Sequence, residues 1–423
     1  SYFQNRKCIV NGANDTVERN VGRGCPQGSI CGPYIWNLIM DKLLFDLQDV
    51  EGCNVVAYAD DLLVMVEGNS RLSLELTSAV IMEVVRSWSD NVGVEISSEK
   101  STIMLLKGRL SYTHTPNVFV GGTRLTYSRN VKYLGILVGE GLSFLPHLNG
   151  LSSKLQSLAG MISRIVRNDW GLNKRAMKIL YKGLFVACAT FGCPIWYETA
   201  IKAAGAKLLI RCQRICILAC ISVCRTVSND ALQVLLGVPP MHLEVIRLTI
   251  IHRYRRRQLQ IDNAWLSNEE MRNSSNYKKD LEEKMMSIWQ EIWNTSTSGR
   301  NTFNYISNVR FSGNCVYFKF KLFTGFLLTG HGSLNEYLFK RNLSPTEDCL
   351  CGADCESVIH VVCECPLYDD LRDLIRMSIS YDNVMYDLSN VCSTVESFEA
   401  FEEFAKLVFE RRRRLLTAES DSS

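Results

Sequence analysis

Apolar positions change their spacing at about Gly141. Upstream, short β-prone runs alternate with two amphipathic stretches; downstream, three- and four-residue spacings dominate and predict mostly helix. Residues 1 to 21 read as a hairpin with Asn11-Gly12 as its turn signal. A Gly/Pro-punctuated loop, Arg23-Gly24-Cys25-Pro26-Gln27-Gly28-Ser29, leads into a helix over about 30–48 whose apolar face carries Ile35, Leu38, Ile39, Leu43 and Leu44. Val55 to Ala59 and Leu62 to Val66 suit two strands of a buried hairpin with Asp60-Asp61 at its tip. A helix over about 71–91 follows, with Leu72, Leu76, Val80, Val84 and Trp88, then strands around 102–107, 117–120 and 131–138. Helix and strand mix here, which predicts an α+β layer.

Past Gly141, Leu148, Leu151, Leu155, Leu158, Ile162 and Ile165 form a stripe facing a helical core. Further helices are predicted at about 174–191, 203–224, 228–236 and 241–260, with Pro239-Pro240 and the polar stretch 294–301 as punctuation. Residues 268 to 295 read as one charged helix carrying Trp289 and Trp293. A Cys-rich turn region opens at Cys349, and a helical tail runs over about 396–416.

With 423 residues, 47% apolar and 22% charged, the chain is globular and long enough for two to four structural units. No run of 18 apolar residues exists, so no membrane partner is expected. The start, Ser-Tyr-Phe-Gln-Asn-Arg-Lys, has no apolar signal core and reads like the middle of a strand, so a fragment of a longer protein is expected. Most of the 17 cysteines, including Cys188, Cys212, Cys216 and Cys220, lie in apolar helical stretches where a reduced thiol packs as a small hydrophobe. That predicts a reducing, intracellular setting. Net charge is only +3, but the basic residues cluster in His252 to Arg257 and Arg411 to Arg414. Either run could face phosphate or be a solvated helix face, and the second could be a nuclear import signal.

Adjacent carboxylates at Asp60-Asp61 are costly to bury unless a cation offsets their repulsion. Hard, oxygen-preferring Mg²⁺ would do so and keep positions open for phosphate oxygens, and two such metals suit phosphoryl transfer. An acidic surface turn is the plainer reading, and the residues upstream decide between them. In the loop some thirty residues earlier, Gly24 and Gly28 allow close backbone approach, Pro26 stiffens the chain and Gln27 offers both a donor and an acceptor. The loop ends where a helix begins, a favourable place for phosphate.

The order of Arg-Gly-Cys-Pro-Gln-Gly at 23–28 and Tyr-Ala-Asp-Asp at 58–61 resembles a reverse transcriptase palm. The stretch from Gly24 to Leu44 is most similar to the LINE-type, non-LTR retrotransposons of arthropods that insert into ribosomal RNA genes. Gly93 to Ile96 leading to Glu99-Lys100, Val131 to Gly135, Arg225 to Ser228 and Gly237 to Pro240 extend the resemblance over nearly the whole chain. It implies that Asp60 is a metal ligand and Asp61 a neighbour with a shared metal role. Gly24, Pro26, Gln27 and Gly28 would line template and incoming nucleotide. Tyr58 would sit by the primer end or simply pack on its strand. Tyr133, Leu134 and Gly135 would form the primer grip, with Leu134 equally readable as ordinary core, and Lys100 would protonate or neutralise the leaving pyrophosphate or remain solvated. The family carries a third catalytic aspartate upstream of the loop; residues 1 to 22 hold only Asp15, in a turn. This stretch alone is therefore expected not to polymerise efficiently, whereas its parent would.

Near the C-terminus, Cys349-Leu-Cys351, then His360 and Cys365, give Cys-x-Cys-x8-His-x4-Cys, enough close ligands for a structural Zn²⁺ site, with Cys355 the main substitute. A similar cluster follows the polymerase in the same retrotransposon clade. Lys340, Arg341 and Arg372 would help it grip RNA or target DNA. The aromatics Tyr317, Phe318, Phe320 and Phe323, interleaved with Lys319 and Lys321, could stack bases but read better as a strand with a packed face. The expected layout is a partial right-hand palm (1–140), a helical thumb (141–260), a helical connection (261–345) and a zinc-type nucleic-acid-binding region with a basic tail (346–423).

The resemblance implies an RNA-directed DNA polymerase working by target-primed reverse transcription. Its partners would be element RNA, chromosomal target DNA in ribosomal RNA genes and deoxynucleotides, with an N-terminal endonuclease in the parent. Its action would be nuclear, with a cytoplasmic ribonucleoprotein stage. The alternative is a non-catalytic nucleic-acid-binding remnant, which the joint presence of the loop and the acidic pair disfavours.

Overall fold

The computed structural model describes residues 4–12, 15–22, 24–26, 28–106, 115–165, 174–257, 265–314, 321–378 and 388–420. The chain divides into two compact units, Ser1–Leu142 and Ser143–Ser423.

The first unit opens with an exposed antiparallel hairpin, β1 (Lys7–Asn11) and β2 (Thr16–Asn20), closed by Gly12 N–H donating to the Asp15 carbonyl at 2.7 Å. Helix α1 (Cys31–Gln48) then lies beneath the acidic hairpin, β3 (Cys53–Tyr58) and β4 (Asp61–Val66). Helix α2 (Arg71–Val92) starts at Ser70, whose hydroxyl accepts from Ser73 N–H, and stops at Gly93 in the left-handed region (φ 72°). Met40, Leu43 and Leu47 of α1 and Ile81, Val85 and Trp88 of α2 form the buried core, and Val55, Ala57, Leu62 and Val64 pack on it from the hairpin. That alternation follows from the period of two in a strand.

Two expectations change here. The acidic hairpin is half-buried rather than buried: Val56 and Tyr58 stay 49% and 63% exposed. The paired strands form a two-stranded sheet, so only the α1/α2 side is covered. Residues 131–138 are not one strand but a tight hairpin, β9 (Asn130–Tyr133) and β10 (Ile136–Gly139), where β5–β8 are the two-residue strands Thr102–Ile103, Phe119–Val120, Thr123–Arg124 and Thr126–Tyr127. Leu134 (φ 46°) and Gly135 (φ 83°) both take positive φ, the signature of a two-residue turn that reverses a strand.

The second unit is helical. Helix α3 (Leu145–Ile165) buries Leu148, Leu151, Leu155 and Ile162 and packs on the helix Ala203–Cys220, which buries Cys212, Cys216 and Cys220 as small hydrophobes. All cysteines among the described residues are free. The run predicted over 174–191 is helical but widens to a π-helix over Tyr181–Val186. The single helix predicted over 268–295 is two, Asn268–Asn273 and Tyr277–Thr295. Ser274 and Asn276 break it, because the Asn276 side chain caps the second helix by accepting from Lys279 N–H. Trp289 and Trp293 are fully buried, as are Trp196, Tyr305 and Phe401. One core runs from Leu148 to Phe409 and takes in Cys349, Cys363 and Cys365, while Ile250, Ile251, Met271 and Leu281 form a smaller one. No single helix among the described residues is long and apolar enough to cross a membrane.

Candidate functional site

At the tip of β3–β4, Tyr58 pairs with Asp61, leaving Ala59 and Asp60 as a two-residue turn. Asp61 therefore shares the outer face with Tyr58, while Ala57 and Leu62 face the core. Both carboxylates are exposed. Ala59 takes φ 52°, a conformation costing about 1–2 kcal/mol for a residue with a Cβ. Its carbonyl accepts a 2.6 Å hydrogen bond from Trp36 Nε1 of α1. Trp36 in turn meets Trp88 of α2 edge-on, centroids 6.5 Å apart, and Trp88 Nε1 donates to the Ile39 carbonyl at 3.1 Å. Sequence reading missed Trp36; its one signal is a tryptophan on the edge of the α1 apolar face.

The glycine loop sits at the N-terminal end of the same helix. Gly24 (φ 71°) and Gly28 (φ 81°) require positive φ, Ser29 N–H donates to the Pro26 carbonyl at 3.2 Å, and the Ser29 hydroxyl accepts from Gly32 N–H. A Cβ on Gly32 would lie 2.8 Å from Cys25 Sγ, so the loop closes onto the first helical turn. Arg23 and Gln27 lie outside the described residues. Helix α1 thus carries the loop at one end and reaches the acidic turn through Trp36. Lys100, exposed in the turn after α2, and the Tyr133-Leu134-Gly135 turn make no hydrogen bond or ion pair to the acidic pair among the described residues. The Tyr133 hydroxyl is buried without a hydrogen-bond partner.

The four candidate ligands Cys349, Cys351, His360 and Cys365 converge. Cys349 Sγ lies 3.7 Å from Cys365 Sγ, Cys351 Sγ lies 3.3 Å from His360 Nε2, and all four atoms fall within 4.8 Å of one another. Two thiolates bound tetrahedrally at about 2.3 Å from a metal stand roughly 3.8 Å apart, so the spacing fits a single Zn²⁺. Local backbone sets it up. Gly352 (φ 93°) lets its N–H donate to the Cys349 carbonyl, and a π-turn over His360–Glu364 closes with Cys365 N–H donating to the His360 carbonyl at 2.7 Å. Glu364 lies 3.4 Å from His360 Nδ1, the place of an orienting carboxylate. Burial pushes the Cys349 and Cys365 thiols up. Burial also acts on Cys351, but hydrogen bonds from the Ala353 backbone and His360 outweigh it and bring that thiol down to about 7. Cys355 and Cys363 are not in the cluster.

The basic residues that the sequence singles out differ in what they touch. Arg412 is buried against Glu356 (2.7 and 2.8 Å), and Asn335 bonds both partners. Arg411 pairs with Asp370 and the Leu367 carbonyl, leaving Arg413 and Arg414 exposed. Arg372 is buried on the Cys365 carbonyl at 2.8 Å, and Lys340 pairs with Glu336. Arg253 donates to the Tyr197 hydroxyl, with Arg255 to Arg257 exposed. Phe323 stacks on Phe409 in the core, and Lys321 pairs with Glu402. Positions 315 to 320, with the rest of the expected aromatic strip, lie outside the described residues.

A mixed helix-and-strand unit with a glycine loop and a two-carboxylate hairpin tip fits an α+β polymerase fold. The reverse transcriptase (RNA-dependent DNA polymerase) family matches residues 2–138. Three relatives extend the match. A putative 115 kDa protein in type-1 retrotransposable element R1DM of Drosophila melanogaster is 42% identical over 98% of this chain and 40% of its own length. A retrovirus-related Pol polyprotein from element R1 of Bradysia coprophila is 41% identical over 98% of the chain and 42% of its own. One from element R1 2 of Nasonia vitripennis is 35% identical over 94% of the chain and 99% of its own. The chain belongs to the R1 retrotransposon Pol polyprotein family and carries reverse transcriptase sequence. It spans about two fifths of the length of the Drosophila and Bradysia relatives. No solved structure matches it.

Proposed function

We propose that this chain supplies the acidic turn and nucleotide loop of an RNA-directed DNA polymerase that copies element RNA by target-primed reverse transcription. The observation that carries the reading is the hairpin tip: Asp60 and Asp61 exposed side by side at a turn fixed from the helix that begins at the glycine loop. Exposed hard oxygens fit Mg²⁺, which when bound would polarise the phosphoryl group and activate the primer hydroxyl. Asp60 is the principal ligand and Asp61 its neighbour. A two-metal centre calls for a further carboxylate, which we place in the remainder of the polyprotein together with the endonuclease. Gly24, Pro26, Gln27 and Gly28 orient template and deoxynucleotide. Tyr58, on the outer face beside Asp61, meets the primer end, the Tyr133-Leu134-Gly135 turn grips it, and Lys100 neutralises the leaving pyrophosphate. Target DNA in the ribosomal RNA genes, and hence nuclear action after a cytoplasmic ribonucleoprotein stage, follows from the same reading.

Cys349, Cys351, His360 and Cys365 hold a structural Zn²⁺ that folds the region following the polymerase helices. All four ligand positions come from the protein, so the site has no open position for catalysis. Exposed Arg341, Arg413 and Arg414 then face RNA or DNA phosphate. Cys349→Ser is expected to lose stoichiometric zinc and weaken RNA binding; retained zinc would refute the ligand set. For the polymerase, Mg²⁺-dependent extension of an RNA-templated primer by the full polyprotein is the test, with Asp60→Asn expected to abolish it.

A further inference from the structure

Resting on the polymerase reading, we infer that Trp36 is a positioning residue of the active site, setting the orientation of Asp60 through the Ala59 carbonyl. Trp36 Nε1 reaches across from α1 to that carbonyl at 2.6 Å. The acceptor belongs to the residue immediately before Asp60, in a turn that holds Ala59 at φ 52°. Rotating the Ala59–Asp60 peptide would break this bond and swing the Asp60 carboxylate, so the indole N–H and the carboxylate direction are tied through one peptide plane.

The tryptophan is itself fixed. Its ring sits edge-on to Trp88, whose own N–H is occupied by the Ile39 carbonyl one turn further along α1. Trp36 stands five residues after the helix start, about 8 Å along the axis at 1.5 Å per residue. The same rigid rod therefore carries the nucleotide loop at its start, where Ser29 and Cys25 close on Gly32, and the brace for the metal turn at its second turn. A displacement of α1 on nucleotide binding would be felt at Asp60 through this one hydrogen bond. The packing role of the ring and the positioning role of its N–H are chemically separable, which makes the inference testable.

Single-nucleotide extension would be measured in the full-length polyprotein at varied Mg²⁺ and deoxynucleotide. Trp36→Phe keeps an aromatic ring against Trp88 and removes the donor. The expected result is a fall in kcat of about tenfold, the effect of losing one positioning hydrogen bond, with KM for the nucleotide changed less than about twofold. The Mg²⁺ needed for half-maximal rate should rise, which a merely structural loss would leave unmoved. If Trp36→Phe fails to fold, benzothienylalanine at position 36 replaces the N–H by sulfur in the same ring shape and gives the same readout. Asp60→Asn runs alongside. Wild-type kcat and Mg²⁺ dependence in the donor-less variant, with Asp60→Asn inactive, overturns the positioning role alone. Undiminished extension by Asp60→Asn overturns the polymerase reading beneath it.

Discussion

With the Cys351 thiol near 7 and those of Cys349 and Cys365 pushed up by burial, the proposed capture of Zn²⁺ by the cluster would release protons. Raising the pH through about 7 removes protons that otherwise compete with the metal, so apparent Zn²⁺ affinity should climb by at least about tenfold per pH unit between about pH 6 and about pH 8. A chelator-competition titration across that range checks this, and a flat profile would contradict the thiolate ligand set. These residues were legible in the sequence because ligand spacing is local: one-, eight- and four-residue gaps bring four donor atoms together once Gly352 and the π-turn fold. The placement of Asp60-Asp61 at a hairpin tip was legible for the same reason, as two acids between apolar strands. Trp36 was not. Its partner carbonyl lies 23 residues away, and nothing in a helical stripe says which indole N–H will reach a neighbouring hairpin.

Among the elements, the C-terminal helix Val395–Ser420 shows a charge run doing two jobs. Arg412 makes a buried ion pair with Glu356, which is fully buried and also accepts from Asn335 N–H. Removing one partner leaves an uncompensated buried charge, so Arg412→Ala should cost about 3–5 kcal/mol in urea unfolding. The double change Glu356→Gln with Arg412→Met should recover much of that loss; equal loss in single and double variants would contradict the pair. Arg413 and Arg414, one turn position on, point to solvent. Their replacement by alanine should move stability by no more than about 0.5 kcal/mol while lowering the salt dependence of RNA binding. Four consecutive arginines look alike in a sequence, and only the packing of helix on helix separates the two buried or paired ones from the two free ones. Element breaks hid likewise: capping by Asn276 splits one charged helix in two, and the paired positive φ of Leu134 and Gly135 folds one apolar run into a hairpin.

On the scale of the whole molecule, the change in apolar spacing near Gly141 coincides with the boundary between the two compact units. Period alone located it, because a strand-and-helix layer and a helical core bury their faces at different repeats. Within the second unit, the shared core from Leu148 to Phe409 ties the cysteine cluster to the helices before it, which no local pattern announces. Trp289→Ala, deep in that core, should therefore cost about 3–5 kcal/mol and lower zinc retention as well, measured by thermal unfolding with metal analysis. Loss of stability with zinc fully retained would show the cluster folding apart from the core. In the first unit the proposed polymerase chemistry rests on two carboxylates. In the full polyprotein, Mg²⁺-dependent extension of a DNA primer on an RNA template should fall below about one thousandth of wild type in Asp60→Asn, since a metal ligand contributes several kcal/mol to the transition state. Extension by Asp60→Asn at the wild-type rate would contradict the assignment.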